Sequence, residues 1–223
     1  MRGLIIAIDG PSGAGKGTVA RGVASRLGYR HVDTGAMYRA VAWKALHEGI
    51  DISDETAVAA LGERASFDLE SGRVVVDGHD VARQIRTPEI DKAATAVARH
   101  PAVRVALVRR QREMGQGGGI VMEGRDIGTV VFPDADVKIF LTASPEERAR
   151  RRAGDPAHAA AQTSALTEIA TALAERDRSD STRAVSPLLQ ASDALAIDTT
   201  SMPIESVVAH ILTVVRTRLE SAG

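Results

Sequence analysis

The chain alternates short apolar runs with segments whose apolar residues recur every three or four positions. The first run, residues 4–8, is followed by a glycine-rich turn and then by Val19, Val23 and Leu27 on one helical face. This pattern predicts a strand, a loop and a helix. Further apolar runs predict strands at 120–122, 137–141 and 194–197. Strands that alternate with helices favour a doubly wound α/β fold, a parallel sheet of about five strands with helices on both faces.

Capping residues and apolar faces predict the helices between these strands. Asp33 or Thr34 caps the second helix, and Ser144 caps another in which Pro145 takes the first position. The predicted helices cover 19–27, 34–48, 53–62, a segment from residue 88, 101–114, a segment from residue 145, 157–174 and 204–219.

Residues 67–81 have a different pattern, because they alternate with a period of two and contain Ser-Gly and Asp-Gly turns. This segment predicts a three-stranded antiparallel meander, which is foreign to a parallel sheet. We therefore expect residues from about 63 to 86 to form a small insertion beside the main body.

The composition narrows the class of protein. With 223 residues, 44% apolar and 26% charged, the chain suits one globular domain of ordinary size, and a net charge of -1 argues against broad binding of nucleic acid or anionic membranes. The absence of cysteine excludes disulfides and thiolate metal sites. No apolar segment is long enough to span a membrane, and the first strand begins too early for a signal peptide, so we expect a cytoplasmic protein with small-molecule partners.

The glycine-rich turn is the strongest chemical signal in the sequence. Gly10, four further residues, Gly15 and Lys16 follow the pattern of a phosphate-binding loop, in which backbone amides at a helix N-terminus and a lysine surround a phosphate chain. Gly17 replaces the usual Ser or Thr, and Thr18 follows it; this variant resembles nucleotide kinases of the adenylate kinase type more than GTPases. The alternative is a glycine-rich turn that joins a strand to a helix and binds no ligand. In that case Lys16 would have no obvious structural role.

Three other polar segments have both a functional and a simpler interpretation. Residues 123–126 follow a predicted strand, at the edge of the sheet where ligands bind in open α/β folds. The basic residues of 148–152, before a Gly-Asp-Pro hinge at 154–156, would also suit a solvated helix end, and the charges of 175–183 a solvated turn. Thr34 could be a helix cap alone or an anion-binding hydroxyl.

Together, residues 8–18, 33–39, 124–133 and 176–188 resemble the bacterial cytidylate kinases. The similarity covers nearly the whole chain, including the meander. The sequence differs mainly in its hydroxyl groups, with Thr34 and Thr95 where serine also occurs in the family. Threonine keeps the hydroxyl donor and acceptor.

The resemblance implies one P-loop kinase domain over 1–223. Its core would comprise 1–33, 101–145 and 184–223, with a nucleoside monophosphate-binding region at 34–100 and a helical lid at about 146–183. The implied reaction transfers the γ-phosphoryl group of ATP to CMP or dCMP, with Mg²⁺ as cofactor and no assigned protein ligand for the metal. We expect a monomer.

The resemblance also implies the site residues. Arg39, Arg125 and Arg183 would hold the acceptor phosphate, and Asp126 would accept a hydrogen bond from the cytosine amine. The ATP-binding residues would be Gly10, Pro11, Ser12, Gly13, Ala14, Gly15, Lys16, Gly17, Thr18 and Arg148. The CMP-binding residues would be Ser12, Thr34, Arg39, Thr95, Arg104, Arg125, Asp126, Arg176, Asp180 and Arg183, and the catalytic residues Lys16, Arg125, Arg151, Arg152 and Arg183.

Two alternatives stay open at this point. A kinase for UMP, AMP or shikimate could use the same scaffold, although the meander and Asp126 argue against it. A non-catalytic nucleotide-binding switch would want an Asn-Lys-x-Asp segment for guanine, which the sequence lacks.

Overall fold

A parallel sheet forms the centre of the computed structural model, which describes residues 2–69, 73–155 and 165–221. In the described part of the chain, β2, β6, β1, β7 and β8 pair in this order as a five-stranded parallel sheet, and β3, β4 and β5 form a separate antiparallel sheet. The strands are β1 (Ile5–Asp9), β2 (Arg30–Asp33), β3 (Phe67–Asp68), β4 (Val75–Val76), β5 (His79–Asp80), β6 (Ile120–Gly124), β7 (Val137–Thr142) and β8 (Leu195–Asp198).

Helices connect these strands and begin at the predicted caps. The Asp33 carboxylate accepts a hydrogen bond from the Ala36 amide, and the Ser144 hydroxyl accepts one from the Glu147 amide. The helices are α1 (Lys16–Leu27), α2 (Thr34–His47), α3 (Glu55–Arg64), α4 (Pro88–Val97), α5 (Pro101–Gly115), α6 (Pro145–Ala153), α7 (Leu166–Ser181) and α8 (Ile204–Ser221). A 3₁₀ turn covers Gln84–Arg86, and a π-helical turn covers Ile127–Val131.

The side chains of β1 are buried on both faces of the sheet. Ile6 and Ile8 pack with residues of α1 and α8, whereas Ile5 and Ala7 belong to the cluster that includes α2, α3 and α5. Because helices cover both faces, the central strand is continuously apolar rather than alternating. The structure thus confirms the predicted doubly wound sheet.

The meander is also confirmed, and it is anchored to α2. Val76 of β4 is fully buried in the same core as α2, and the Lys44 ammonium lies 2.9 Å from the Asp77 carboxylate. Trp43 stacks on His47 with 4.8 Å between ring centroids, and the ring of His79 in β5 lies 6.3 Å from Trp43.

The structure differs most from the sequence prediction at three elements. Strand β2 was not predicted, α1 begins at Lys16 rather than at residue 19, and α7 continues through the charged segment to Ser181 instead of ending at 174. The predicted start of α7 at residue 157 and Pro156 of the predicted hinge lie outside the described residues. Among the helices described, none is both long and apolar enough to cross a membrane.

Candidate active site

A cleft of about 780 Å³ lies at the carboxyl edge of the parallel sheet. The segments that follow β1, β2, β6 and β8 all contribute to its walls, and residues of α6 and α7 close it from the other side. This is the place where open α/β sheets bind ligands, because the loops after neighbouring parallel strands converge there.

The glycine-rich loop between β1 and α1 forms one wall of the cleft. At Gly10, where φ is +144°, a Cβ atom would lie 2.1 Å from the carbonyl oxygen of Leu141, so only glycine lets the loop pass this close to β7. At Gly13, where φ is +79°, a Cβ atom would lie 2.9 Å from the Cβ of Arg148 in α6. The loop ends in the N-terminus of α1, whose free amides favour an anion.

Lys16 is buried at this N-terminus and faces the cleft. Its Nζ donates a hydrogen bond to the carbonyl oxygen of Pro11, 2.7 Å away. Burial, together with repulsion from the Arg125 guanidinium, lowers the pKa of Lys16 to about 7, although Glu123 and Asp9 act in the opposite direction. An incoming polyphosphate would supply the negative charge that restores its ordinary pKa.

Two buried carboxylates at this edge were not among the predicted site residues. Asp9 accepts hydrogen bonds from the amides of Ile127 (2.9 Å) and Gly128 (2.7 Å), and burial raises its pKa to about 6. Glu123 lines the cleft and contacts His31 Nε2 at 2.9 Å. Asp9 is the last residue of β1, and Glu123 is the last but one of β6. A carboxylate at the end of an apolar strand is the sequence feature that could have identified both.

One group of charged side chains lies on the wall formed by α4, α5 and the segment after β6. Arg104, which is 2% exposed, donates to the Asp126 carboxylate, and its guanidinium carbon lies 5.4 Å from the centroid of the Tyr38 ring. The Thr95 hydroxyl lines the same cleft and donates to the Asp91 carbonyl oxygen at 2.8 Å. This wall therefore presents a carboxylate, a guanidinium and a hydroxyl together.

A second group surrounds Asp180 of α7. Its carboxylate accepts a hydrogen bond from Arg125 Nε at 2.8 Å and lies 3.5 Å from Arg183 Nη1. Arg39 and Thr34 also line the cleft: Arg39 donates to the Asp33 carboxylate at 2.8 Å, and the Thr34 hydroxyl donates to the carbonyl oxygen of Glu123 at 2.7 Å. These side chains are held in place by other protein groups.

The arginines of α6 point in different directions. Arg151 donates to the hydroxyl (2.9 Å) and the carbonyl oxygen (2.6 Å) of Thr199, while Arg152 pairs with Asp91 of α4. Arg148 donates to the carbonyl oxygen of Ser12 at 3.1 Å and pairs with Asp177. Arg148 thus contacts the backbone of the loop, and direct contact of Arg148 with ATP stays a prediction.

The structure brings most of the predicted site residues to this one cleft. Those that line it are Ser12, Gly13, Ala14, Gly15, Lys16, Gly17, Thr18, Thr34, Arg39, Thr95, Arg104, Arg125, Asp126, Arg151, Arg152, Arg176, Asp180 and Arg183. Gly10, Pro11 and Arg148 are not among the lining residues. Within 2–69, 73–155 and 165–221, no group of three or more His, Cys, Asp or Glu side chains is arranged to hold a metal ion.

Comparisons with known proteins agree with this architecture. The chain is 53% identical over 212 residues to a cytidylate kinase from Pelotomaculum thermopropionicum, covering 93% of each chain. It is 48% identical over 222 residues to a cytidylate kinase from Solibacter usitatus, covering 97% of this chain and 94% of the relative.

A solved gluconokinase from Sinorhizobium meliloti 1021 shares the fold at 14% identity, with a TM-score of 0.50 over 99% of this chain and 96% of its own. The family model described as cytidylate kinase matches residues 6–217. The chain therefore belongs to the cytidylate kinase family.

Proposed function

We propose that this protein transfers the γ-phosphoryl group of ATP to CMP or dCMP, giving ADP and the nucleoside diphosphate. One observation carries the proposal. The cleft that contains the phosphate-binding loop also contains Arg39, Arg125 and Arg183, which come from three distant segments. Two polyanions repel each other, and a site that joins them needs a separate cationic cradle for each.

On the donor side, the loop amides and Lys16 would bind the phosphates of ATP. Lys16 would contact the transferred phosphoryl group, because its flexible ammonium can follow the negative charge that develops on the phosphoryl oxygens. Arg151 and Arg152 of α6 would approach the same group from the lid. Arg148 would keep the loop in shape through Ser12.

On the acceptor side, Arg39, Arg125 and Arg183 would hold the phosphate of CMP, since planar guanidinium groups bind phosphate oxygens in pairs. Asp126 would accept a hydrogen bond from the exocyclic amine of cytosine, and Arg104 would donate to the ring acceptors, with Thr95 beside them. Uracil would place a carbonyl oxygen opposite the Asp126 carboxylate, where neither group can donate a hydrogen bond. Asp180 and Arg176 would bind the sugar hydroxyl that CMP and dCMP share.

The residues beside the loop fit a magnesium ion. A Cβ atom at Gly17 would lie 3.2 Å from Glu123 Oε1, so a carboxylate occupies the neighbourhood where the strict loop motif places a hydroxyl. Oxygen ligands and retained waters suit this ion. Glu123, oriented by His31, and Thr18 are the residues that would hold it. A magnesium ion held there with ATP would supply positive charge that offsets the negative charge of the phosphates.

The chain's own contribution to the reaction is positioning and charge neutralisation. The acceptor phosphate is a dianion near neutral pH, so its oxygen can attack without a general base. The arginines of α6 and α7 would cover the reacting groups and exclude water, which would otherwise accept the phosphoryl group. In this division of labour, the described parts of 34–100 would bind the monophosphate, and the described parts of 146–183 would form the lid.

A panel of acceptors tests the proposal. Purified protein with ATP and magnesium should turn over CMP and dCMP faster than UMP, AMP or shikimate, as measured by ADP release and by direct detection of the phosphorylated product. Equal or faster turnover of UMP or AMP would contradict the cytosine assignment. Binding of ATP without any diphosphate product would favour a nucleotide-binding switch.

A further inference from the structure

The carboxylate of Asp91 joins three helices at the rim of the cleft. Asp91 belongs to α4, and its Oδ2 lies 2.5 Å from Arg152 Nη2 of α6. Its Oδ1 lies 3.6 Å from Arg176 Nη1 of α7. Both arginines line the cleft, and the proposed mechanism gives both of them a substrate to bind, but it gives Asp91 nothing to do.

A counter-charge is needed at this place because cations crowd together. Burial and repulsion from Arg125 lower the pKa of Arg176 to about 10, and burial lowers the pKa of Arg152, with Arg39 adding repulsion. The negative charge of Asp91 raises the pKa of both arginines and so opposes these shifts. Without a carboxylate here, the two guanidinium groups would gain by turning outward into water.

Asp91 also ties these arginines to the helix that reaches the base-binding wall. Thr95 lies one turn further along α4 and donates its hydroxyl hydrogen bond to the carbonyl oxygen of Asp91. The position of the arginines is therefore fixed relative to α4, not only to their own helices. A shift of either helix relative to α4 would break these contacts.

We propose that Asp91 is a positioning residue, which holds Arg152 and Arg176 at the cleft before the substrates bind. This inference rests on the proposed function. Asp91 touches neither substrate in the mechanism above; it acts through the two arginines. A preorganised guanidinium group binds its substrate without first losing side-chain freedom, and Arg176 would contact the sugar of CMP, so the effect of Asp91 is expected mainly on CMP affinity.

Glu89 provides a matched control on the same helix. Glu89 and Asp91 both lie in the first turn of α4, where a negative charge interacts favourably with the helix dipole. Glu89 is exposed, whereas Asp91 reaches the two arginines. Asp91→Asn and Glu89→Gln therefore remove the same charge from the same turn, and they differ in the loss of the arginine contacts.

Steady-state kinetics and calorimetric CMP binding on four proteins test the inference: the unaltered protein, Asp91→Asn, Asp91→Glu and Glu89→Gln. Asp91→Asn should raise the KM and the Kd for CMP about fivefold or more, with a smaller change in kcat, as expected when a charge-assisted contact is lost. Asp91→Glu should recover most of the affinity, because it keeps the carboxylate. Glu89→Gln should match the unaltered protein.

A further comparison separates positioning from a loss of helix stability. In a protein that already carries Arg152→Gln and Arg176→Gln, Asp91→Asn should no longer change the Kd for CMP. An unchanged Kd in the Asp91→Asn single variant would overturn the inference, and a lower Kd would also overturn it by showing that Asp91 competes with the substrate. If the unaltered protein does not phosphorylate CMP at all, the proposed function fails instead.

Discussion

The charge of Lys16 depends on what occupies the cleft. With a pKa lowered to about 7 in the free protein, this ammonium group loses part of its protonation at pH 8. A bound triphosphate favours the charged form and raises the pKa again. Since the bound state then holds more protons than the free state, ATP affinity should fall as the pH rises above 7.

We therefore predict that ATP binding at pH 8 is accompanied by proton uptake. Calorimetry in buffers with different ionisation enthalpies measures it directly, and at this pH the terminal phosphate of ATP is already deprotonated, so the uptake belongs to the protein. Lys16→Met should remove the uptake and lower kcat by orders of magnitude. Identical proton uptake in the Lys16→Met variant would exclude Lys16 as its source.

Asp126 is the residue on which base selection should depend. Replacing it with asparagine presents an amide that can face either cytosine or uracil, so the ratio of kcat/KM for CMP over UMP should fall about tenfold or more. The variant also leaves the buried Arg104 without its carboxylate and should be less stable. The ratio is independent of the fraction of folded protein, and an unchanged ratio would place base selection elsewhere.

Individual site residues differed in how visible they were in the sequence. Lys16 and Asp126 were predicted because they belong to motifs with fixed spacing. Asp9 and Asp91 were not, since each acts through contacts made 118 or 61 positions away along the chain. Such contacts are created by the fold, and no local pattern contains them.

The phosphate-binding loop depends on the close approach of α6. At Gly13 a side chain would meet the Cβ and the carbonyl oxygen of Arg148 at 2.9 and 3.1 Å, in addition to the strain of a positive φ. Gly49 has a similar positive φ of +69°, but a Cβ atom there would meet nothing within 4 Å. Alanine at Gly49 would therefore introduce backbone strain alone, whereas alanine at Gly13 would introduce both strain and steric contact.

We predict that Gly13→Ala lowers kcat/KM for ATP about tenfold or more, because displacing the loop misplaces the phosphates. Gly49→Ala should lose only about 1 to 2 kcal/mol of unfolding free energy, the cost of a left-handed alanine, and should keep its activity. Kinetics and thermal unfolding of both variants measure the difference. Equal losses of activity would show that contact with α6 does not matter.

Secondary structure was predictable where the sequence pattern coincided with burial. Strand β1 was predicted because its apolar residues are buried on both faces of the sheet, and α2 and the meander were predicted because their apolar residues pack into one core. Strand β2 was missed because Val32 is its one apolar residue, and it forms by pairing with β6. The end of α7 was missed because its charges suggested a solvated turn, whereas Asp180 is buried among arginines.

At the level of the whole molecule, the lid and the monophosphate-binding region should close together when both substrates bind. Binding of two polyanions removes the repulsion among the cleft arginines, so the lid and the monophosphate-binding region can approach each other. Because the chain contains no cysteine, a pair introduced at exposed positions of α6 and α3 can be labelled without background.

We predict that the distance between such labels shortens with ATP and CMP analogues present together, and shortens less with either alone. Small-angle scattering of the unlabelled protein provides an independent control for the labels, and its radius of gyration should decrease under the same conditions. Curves that coincide with and without both ligands would contradict domain closure.

The stack of Trp43 on His47 gives the protein a natural optical probe. It is the only tryptophan in the sequence, and it does not line the cleft. Its emission should therefore be insensitive to direct quenching by nucleotides, yet it should change when the hairpin carrying His79 separates from α2. Fluorescence from this single indole can follow detachment of the inserted subdomain without any label.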